Sequence, residues 1–598
     1  MITRKTKIVC SIGPACDNDD TIRAMIQAGM NIARFNFSHG SYDWHRQAME
    51  RVRRIAAELG VPVGIMLDTK GPEIRTGCTP DNAEICINAQ DVVELVTDGS
   101  PCTGAEDGKP VHISLSWKEA AEKLKPGHKV LVADGLIELD VTAVQEGKVI
   151  CVAANSGKIT SRKNVNLKGI HAGLPIMSEK DKTDLLFGSQ MDVDFVAASF
   201  VSFAEEVVEI KGYLKEVGAN ARVIAKIENE EGVKNIEKIT KEADGIMVAR
   251  GDLGVQLPVE RIPLVQKAII RCCRQAGKPV ITATQMLDSM IVNPRPTRAE
   301  LTDVSNAVFD GTDAVMLSGE TAGGKYPVEA VKTMALITRT TEESDEYRNR
   351  MKLLDTSYNP GTEVGHAVMH GAYKLARNIE AKAIIIPTLH GNTARMIGSY
   401  RPEQIIIAVT PDEKVYRQLT IQWGVTPVQC GMAEDSEMMI QNAVKLALDS
   451  GAVHLSDKAV MCAGIPLSSP LMANTIKILI VGNVLARGTA FGFNNDAVTK
   501  AGGRVVQAKD ISGLREKMSV NRSTILVCWR ITEDLLPLLR VVDGVVSESG
   551  SDIPQEQLSL VNKDLVWIQN VRDAQRILEN DLTVTIDGEQ GLVYEGIV

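Results

Sequence analysis

Short apolar runs alternate with longer amphipathic segments along residues 1–341. Each run is apolar almost throughout, which is typical of a parallel strand buried on both faces. The intervening segments repeat apolar residues at helical spacing, as in residues 44–59, 204–217, 233–242, 262–275 and 298–309. Eight strands alternating with helices predict a (β/α)8 TIM barrel, with an open doubly wound sheet as the alternative. The predicted strands are residues 7–11, 31–35, 63–67, 194–198, 222–225, 245–249, 279–283 and 314–317.

One interval interrupts this alternation, between the third and the fourth predicted strands. Residues 71–168 contain short strand patterns separated by turn signals such as Asp98-Gly99 and Glu146-Gly147. They predict a small β-barrel domain inserted into a loop of the catalytic barrel. The catalytic barrel is then formed by residues 1–70 and 169–341. Active sites of such barrels lie on the loops after the strands, so an insertion there can act as a lid.

The pattern restarts beyond residue 341 and predicts two further domains. Residues 342–474 read as an α/β domain, with a helix at 366–379 and strands at 383–387 and 404–410. Residues 475–598 mix strands, Gly-rich turns and short helices. We therefore predict an α/β protein of four domains, one of them inserted into another.

Composition limits the class of protein. With 44% apolar and 24% charged residues, the chain of 598 residues has the composition of a globular domain protein, not of a disordered, collagenous or membrane protein. A net charge of −10 and 4% aromatic residues argue against a nucleic-acid partner. Eleven cysteines form no regular framework, and no leader or membrane-spanning run is evident, so we expect a cytoplasmic protein with no membrane partner.

Charged and hydroxyl side chains collect where the predicted strands end, which is where a barrel carries its chemistry. Glu228 and Asp252 follow neighbouring strands and are the ligands that Mg²⁺ prefers. Lys226 is one side-chain period before Glu228, so its ammonium can lie beside that metal and neutralise a moving phosphoryl group. Arg34 can hold a phosphate in fork geometry. The low-charge oxygen donors Asn36, Ser38, Asp68 and Thr69 suit a monovalent cation.

Other interpretations of these residues remain open at this point. The polar strand ends can be a solvated rim, and Lys226 can form a surface salt bridge with Glu228. Zinc lacks its usual ligand spacing near His39 and His45. A string resembling a P-loop ends at Lys325, but Tyr326 stands where that motif needs Ser or Thr.

Seven ordered segments at these strand ends resemble the signature segments of the pyruvate kinase family. They are IVCSIGP at 8–14, RFNFSHG at 34–40, LDTKGPEIR at 67–75, KIEN at 226–229, MVARGDLG at 247–254, ATQML at 283–287 and LSGETA at 317–322. The resemblance covers about residues 1–480. It implies transfer of the phosphoryl group of phosphoenolpyruvate to ADP, giving ATP and enolpyruvate that is protonated to pyruvate.

The resemblance also implies roles for individual residues. Lys226 would stabilise the transferring phosphoryl group and Arg34 would bind it, while Thr284 lies near the proton path with support from Ser318 and Glu320. Backbone N–H groups near Gly251 and Asp252 would bind the substrate carboxylate. Nucleotide contacts are implied for Asn36, His39, Arg75 and Lys163. The implied cofactors are Mg²⁺ or Mn²⁺ at Glu228 and Asp252, and K⁺ at Asn36, Ser38, Asp68 and Thr69. Glu73, where other members carry Lys, implies activation by K⁺.

Regulation is implied by the third domain. Thr388, His390, Gly391, Asn392 and Thr393 resemble the effector-phosphate loop of the family, with an ordinary helix cap as the alternative. The second effector loop, expected at residues 467–471, lacks the usual Gly-rich stretch. A phosphorylated small-molecule effector is therefore expected, whether sugar bisphosphate, sugar monophosphate or nucleotide. The family also implies a homotetramer.

The last predicted domain resembles the phosphohistidine domain of phosphoenolpyruvate-utilising enzymes, in residues 481–489 and 585–594. That domain needs a phosphorylated histidine, yet the last histidine of this chain is His454. Histidine phosphotransfer is thus excluded by residue identity, and a structural or oligomer-contact role is expected.

Two other functions compete with a pyruvate kinase. A Mg²⁺-dependent barrel lyase or aldolase acting on pyruvate-like acids would share the metal carboxylates and an arginine, but it would not need Lys226, the monovalent-cation oxygens or the lid. A non-catalytic scaffold derived from a kinase would be expected to have lost Lys226, Glu228, Asp252 or Thr284, and all four are present.

Overall fold

The structure is a computed structural model. It describes residues 4–105, 109–356, 364–432, 436–454, 457–464, 473–481, 484–491, 499–508, 523–562 and 565–596. The predicted second effector loop at 467–471 lies outside these residues, as do residues 482 and 483 of the segment 481–489. Within the described ranges no helix is long and apolar enough to cross a membrane.

Eight parallel strands close into a barrel in sequence order, which confirms the (β/α)8 prediction and excludes the open sheet. Strand β1 also pairs with the eighth strand, along Lys7 to Cys10 and Ala314 to Leu317, and this pairing completes the ring. The strands are β1 Lys7–Ser11, β2 Ile32–Asn36, β3 Gly64–Asp68, β4 Phe195–Ala198, β5 Arg222–Ile227, β6 Gly245–Ala249, β7 Val280–Ala283 and β8 Ala314–Leu317.

Three strands extend further than their apolar runs. Asn36 and Asp68 are the last residues of β2 and β3 and lie opposite each other in the ladder, and Lys226 lies within β5. The sequence placed all three just beyond the strands. Backbone hydrogen bonding continues through these polar residues, because the ladder depends on the main chain and not on side-chain hydrophobicity.

The barrel helices follow the predicted periodicity, with ends set by capping residues. The helix predicted at 44–59 begins at Tyr42, since the Ser41 side chain accepts a hydrogen bond from the Trp44 N–H. It ends at Leu59, because the following Gly60 has a left-handed backbone with φ at 64°. The helix predicted at 233–242 is two helices that meet at Asn235. The helices are Asp19–Ala28, Tyr42–Leu59, Glu179–Gln190, Ala204–Glu216, Glu230–Lys234, Ile236–Glu242, Arg250–Gln256, Ile262–Gln275, Arg298–Asp310, Gly319–Ala322, Pro327–Glu343 and Asp345–Thr356.

Two apolar layers stabilise the barrel. Inward-facing residues such as Val9, Ile32, Phe195 and Met247 fill its interior. The outward-facing residues of the same strands pack under the surrounding helices. The strands are therefore buried on both faces, and this leaves the ends of the strands as the place for polar chemistry.

Between β3 and β4 the chain forms a seven-stranded sheet with its own apolar core. An isolated antiparallel bridge joins Thr76 to Leu115, next to its two edge strands, so the sheet curves back on itself. In spatial order its strands are Ile74–Arg75, Asn164–Leu167, Lys129–Val132, Ile137–Gln145, Lys148–Ala153, Val92–Val96 and Val111–Ser114. A two-stranded sheet, Ile85–Ile87 with Gly157–Ile159, and a helix at Ala120–Lys123 complete this part.

The described chain divides into two compact units, residues 1–373, 386–431 and 469–474, and residues 374–385, 432–468 and 475–598. The first unit contains the barrel, the inserted sheet, helices Asn392–Ser399 and Glu413–Gln418, and the parallel strands Ile405–Thr410 and Val425–Gln429. A helix at Val364–Asn378 precedes the strand Ala383–Pro387.

In the second unit, residues 383–385 pair in parallel with the strand Lys458–Ala463, and this strand pairs antiparallel with Thr475–Ile480. Helix Ser436–Asp449 comes before the strand Lys458–Ala463 in the chain. The rest is an eight-stranded mixed sheet with an apolar cluster on each side. In spatial order its strands are Val484–Arg487, Leu592–Glu595, Thr583–Asp587, Lys500–Gln507, Thr524–Cys528, Gly544–Ser547, Val566–Gln569 and Thr489–Phe491. Short helices occur at Leu536–Leu539, Gln555–Val561 and Ala574–Ile577.

Candidate active site

A buried lysine lies at the centre of the polar strand ends. The Nζ atom of Lys226 is 3.0 Å from Asp68 Oδ1, 3.0 Å from Glu228 Oε1 and 2.7 Å from Ser199 Oγ. The Lys226 side chain is 11% exposed, and those of Asp68 and Glu228 are 1% and 2% exposed. These contacts are therefore not a surface salt bridge, which removes that interpretation of Lys226 and Glu228.

Electrostatics keep this lysine charged. Burial alone would lower the pKa of Lys226, but the carboxylates of Asp68 and Glu228 outweigh it and raise that pKa. Burial would likewise raise the pKa of Asp68, yet Arg34 and Lys226 together lower it. The Nε atom of Arg34 donates to Asp68 at 2.6 Å, and its Nη1 donates to Ser11 Oγ at 2.7 Å. Asp68 thus orients the two cations that the sequence singled out.

Glu228 is buried and Asp252 beside it is half-buried. Burial raises the pKa of both side chains; Lys226 opposes this, and the Asp252 charge adds to the shift of Glu228. One Glu228 oxygen accepts from the Phe200 N–H at 2.7 Å. Two close carboxylates that resist ionisation fit a divalent cation, which takes one or two protein carboxylates and completes its shell with substrate and water oxygens.

The oxygen donors at the ends of β2 and β3 are also close together. Asn36 and Asp68 face each other across the ladder, and Asn36 Oδ1 accepts from the Ser38 N–H at 3.0 Å. Thr69 follows directly, and its hydroxyl accepts from the Ser199 N–H at 3.2 Å. Carboxylate, amide and hydroxyl oxygens with a single formal charge fit a monovalent cation.

Thr284 has a left-handed backbone, with φ at 69°. Its hydroxyl donates to the Ala283 carbonyl at 2.6 Å and accepts from the Gly251 N–H at 2.8 Å, so the ends of β6 and β7 meet here. The Arg250 Nη2 atom donates to the Thr284 carbonyl at 2.7 Å. For a β-branched residue this backbone is costly, which is typical of functional positions.

Glu320 contacts the main chain instead of another candidate side chain. Its carboxylate accepts from the Leu287 N–H at 3.0 Å and from the Ser318 N–H at 2.7 Å. It therefore ties the loop after β7 to the loop after β8. Among the described residues the buried Ser318 hydroxyl has no hydrogen-bond partner, so it can bind a substrate or a water molecule.

The nucleotide candidates other than Asn36 lie on the inserted sheet and on the loop after β2. Arg75, on the inserted sheet, donates to Glu73 at 2.7 Å and to the Arg162 carbonyl at 2.9 Å. Lys163 lies beside it, bonded through its N–H to the Thr76 hydroxyl at 2.9 Å. His39 is exposed on the loop after β2. A cleft between the inserted sheet and the barrel leads from Glu73 to Asp252, lined also by Ile74, Asn166, Phe200 and Asn229.

The predicted effector residues lie on the loop before helix Asn392–Ser399 and on its first turn, with Thr388, His390 and Gly391 in the loop and Asn392 and Thr393 in the helix. Gly391, with φ at 76°, precedes the helix, and its N–H donates to the Thr388 hydroxyl at 2.9 Å. Gly391 stands at the N-cap position, and no side-chain hydrogen bond caps the helix there. Thr393, in the first turn, is buried. The His390 carbonyl accepts from Arg222 at 3.4 Å.

Two residues of the site were missed from the sequence. Ser199 follows β4 and contacts Lys226, and Ser11 ends β1 and contacts Arg34. Arg250 lies in the segment 247–254 but had no predicted role, and the structure shows that it holds the Thr284 carbonyl. Ser199 and Ser11 occupy strand ends that the sequence reading did not inspect. Applying the strand-end rule to β1 and β4 would have found them.

Comparisons with known proteins agree with this geometry. A family model described as pyruvate kinase, barrel domain matches residues 3–331, and one described as pyruvate kinase, alpha/beta domain matches residues 366–479. Pyruvate kinases of Staphylococcus epidermidis strain RP62A and Staphylococcus aureus strain MRSA252 are 40% and 41% identical over 599 residues, covering 99% of this chain and 99% of each relative. The crystal structure of a pyruvate kinase from Cryptosporidium parvum is similar with a TM-score of 0.75 and 40% identity, covering 80% of this chain and 96% of that chain. The chain therefore belongs to the pyruvate kinase family.

Proposed function

We propose that this protein transfers the phosphoryl group of phosphoenolpyruvate to ADP and releases pyruvate and ATP. The observation that carries the proposal is the buried, charged Lys226 held between Asp68 and Glu228 at the ends of the barrel strands. An ammonium fixed in a low-dielectric site stabilises charge that develops on a transferring phosphoryl group, and it needs no reorganisation to do so.

Arg34 supports Lys226 in this role. Its guanidinium is held by Asp68 and Ser11, so it is oriented before the substrate arrives. A preorganised guanidinium binds phosphate in a defined geometry. His39, Arg75, Lys163 and Asn36 then contact the nucleotide, and the inserted sheet closes over it as a lid.

Glu228 and Asp252 hold Mg²⁺ or Mn²⁺. When bound, that cation neutralises and orients the phosphoryl oxygens. Asn36, Ser38, Asp68 and Thr69 hold K⁺. Glu73 leaves the K⁺ requirement in place, because no ammonium from that position replaces the ion.

The enolate that remains after transfer is protonated near Thr284. The Thr284 hydroxyl and the Ser318 hydroxyl bind the water or substrate on this path, while Glu320 fixes both loops. The substrate carboxylate takes the N–H groups of Gly251 and Asp252. Gly251 already donates to Thr284, so carboxylate binding and the orientation of the Thr284 hydroxyl are coupled.

Regulation and assembly extend the proposal. The loop Thr388, His390, Gly391, Asn392 and Thr393 binds a phosphorylated small-molecule effector. Assembly as a homotetramer is supported by apolar side chains exposed after β6 and β7, with Val259, Leu264 and Val292 at 72%, 68% and 57% exposure. The enzyme acts in the cytoplasm.

A coupled assay tests the activity. Pyruvate formed from phosphoenolpyruvate and ADP is measured with and without Mg²⁺ and K⁺, for the wild type and for Lys226→Met. We expect ADP-dependent pyruvate that needs Mg²⁺ and rises with K⁺, and loss of most phosphoryl transfer in the variant with its fold intact. Absence of ADP-dependent pyruvate from the wild type would overturn the proposal, and a near-normal rate in the variant would overturn the role of Lys226.

A further inference from the structure

The loop from Asn36 to Gly40 carries two proposed K⁺ ligands, Asn36 and Ser38, and two proposed nucleotide contacts, Asn36 and His39. On its inner side the Phe37 N–H donates to the Asp68 carbonyl at 3.0 Å, and Ser38 turns back onto Asn36. On its outer side the loop faces the first turn of helix Tyr42–Leu59. The contacts on that outer side therefore help to determine where the ligand oxygens of Asn36 and Ser38 lie.

His45, in the first turns of this helix, contacts the loop in two ways. Its Nε2 atom is 2.9 Å from the His39 carbonyl oxygen, and its ring stacks on Phe37 with centroids 4.0 Å apart and an interplanar angle of 7°. A carbonyl only accepts hydrogen bonds, so Nε2 carries the proton. The His45 side chain is buried, with the residue 2% exposed, and its Nδ1 has no hydrogen-bond partner in the part of the chain that the structure describes.

The fit around His45 is tight. Gly40 has φ at 82°, and a Cβ atom built on it would lie 3.1 Å from His45 Nε2. Burial lowers the pKa of His45, and the hydrogen bond to His39 opposes that shift. A neutral ring with one proton, on Nε2, satisfies the hydrogen bond to the His39 carbonyl.

A second anchor acts on the same loop. Lys180 Nζ donates to the Phe37 carbonyl at 2.9 Å and to Asp184 at 2.6 Å. The Tyr42 hydroxyl donates to the other Asp184 oxygen at 2.6 Å. The loop carbonyls of residues 37 and 39 are therefore both bonded by side chains from outside the loop.

We propose that His45 is a positioning residue, which holds the loop from Asn36 to Gly40 in the geometry that binds K⁺ and ADP. The inference rests on the proposed roles of Asn36, Ser38 and His39. His45 itself is not a ligand of the ion or the nucleotide, because it is buried behind Phe37 and contacts the loop through the Phe37 ring and the His39 carbonyl. Loosening its hydrogen bond should weaken both ligands together and leave the chemical step unchanged.

Two substitutions separate the hydrogen bond from the packing. His45→Phe keeps a ring on Phe37 but removes the donor, whereas His45→Gln keeps an amide N–H near the position of Nε2. We expect His45→Phe to raise the half-activating K⁺ concentration and the KM for ADP by roughly fivefold, the worth of one net hydrogen bond, with kcat at saturation close to the wild type. His45→Gln should restore most of the loss. His454→Leu, at a side chain 84% exposed, is the matched control and should change neither constant.

Three outcomes decide the inference. Unchanged K⁺ and ADP constants in a folded His45→Phe protein would overturn it, and so would an equal loss in both variants, which would indicate packing alone. If His45→Phe does not fold, Lys180→Met tests the other anchor of the loop, at a side chain that is 50% exposed. This variant should shift the K⁺ and ADP constants in the same direction. Unchanged constants would again overturn the inference. A wild type that is active but indifferent to K⁺ would instead contradict the proposed ion site, and the KM for ADP would then decide the role of His45.

Discussion

Lys226 is charged although it is buried, because two carboxylates and one hydroxyl face its Nζ atom. Such a group is expensive to bury alone and stable only where its partners are fixed. Each partner comes from a different strand end, Asp68 from β3, Ser199 after β4 and Glu228 after β5. The position of the ammonium is thus determined by the closure of the barrel.

Ser199 supplies the shortest of these contacts, so its removal should be felt in catalysis. We expect Ser199→Ala to lower kcat about tenfold, because a hydrogen bond to a charged group is worth about 1.5–3 kcal/mol. Ser189→Ala is the matched control, since Ser189 donates to the Val217 carbonyl at 2.9 Å on a helix away from the site. The coupled pyruvate assay measures both. A kcat of Ser199→Ala equal to that of the control would show that Asp68 and Glu228 suffice to orient Lys226.

Lys7 is a second buried lysine, but no carboxylate of the described residues accepts a hydrogen bond from it. Its Nζ donates to the Val425 carbonyl at 2.7 Å, and burial, with Arg4 nearby, lowers the pKa of Lys7 to about 7. Between about pH 7 and the usual lysine pKa of about 10.4 the unfolded chain binds this proton more tightly than the folded chain does. The contribution of Lys7 to stability therefore becomes more favourable as pH rises through that window.

Replacing Lys7 should reveal this dependence. We expect Lys7→Met to raise the urea unfolding midpoint most at pH 7, with the advantage shrinking towards pH 10. Lys118→Met, at an exposed residue, should show no such trend. A gap between Lys7→Met and the wild type that stays constant from pH 7 to pH 10 would mean that Lys7 keeps its ordinary pKa when folded.

At the scale of elements, a barrel helix can position site residues that belong to other elements. Helix Arg298–Asp310 places Asp303 2.7 Å from Arg250, and Arg250 in turn holds the Thr284 carbonyl. The helix begins with a capping box, in which Thr297 and Glu300 each bond the other's backbone N–H. The start of this helix is therefore determined by neighbouring residues, whereas its contact with Arg250 depends on the tertiary fold.

Removing that cap should destabilise the helix by a known amount. We expect Thr297→Ala to lower the free energy of unfolding by about 1 kcal/mol, measured by urea denaturation. Thr302→Ala is the control, because Thr302 lies within the same helix and bonds only the Arg298 carbonyl. A loss in Thr302→Ala as large as in Thr297→Ala would show that the cap is not the source.

The elements show how far periodicity carries a prediction. The eight strands and the helices between them follow from apolar spacing, and most bounds differ from the predicted ones by one or two residues. The split at Asn235 and the extension of β2 and β3 to Asn36 and Asp68 do not follow from it. Both depend on main-chain hydrogen bonds that are formed with distant segments or caps, which spacing does not encode.

At the scale of the whole molecule, the exposed apolar side chains after β6 and β7 bear on assembly. A glutamate at the centre of an apolar interface would be buried without a partner, so Leu264→Glu should shift the enzyme towards smaller assemblies. Sedimentation velocity measures this directly. Leu136→Glu is the matched control, because Leu136 is also 68% exposed but lies on the inserted sheet. If Leu264→Glu sediments as the wild type does, this surface is not an interface.

The sequence by itself determined the barrel, the inserted β segment and the types of side chain at most strand ends. It also determined that residues 475–598 carry no phosphohistidine, since the last histidine is His454. These features can be read from short stretches of sequence. Burial of one or both faces sets the spacing of apolar residues in each strand or helix, and the residue types present limit the chemistry of a segment. Only the tertiary structure decided which groups meet. Closure of the sheet brings Ser199 to Lys226 and the Gly251 N–H to Thr284, and burial raises the pKa values of Glu228 and Asp252. Contacts between segments far apart in the chain, and the dielectric around them, have no signature in local sequence.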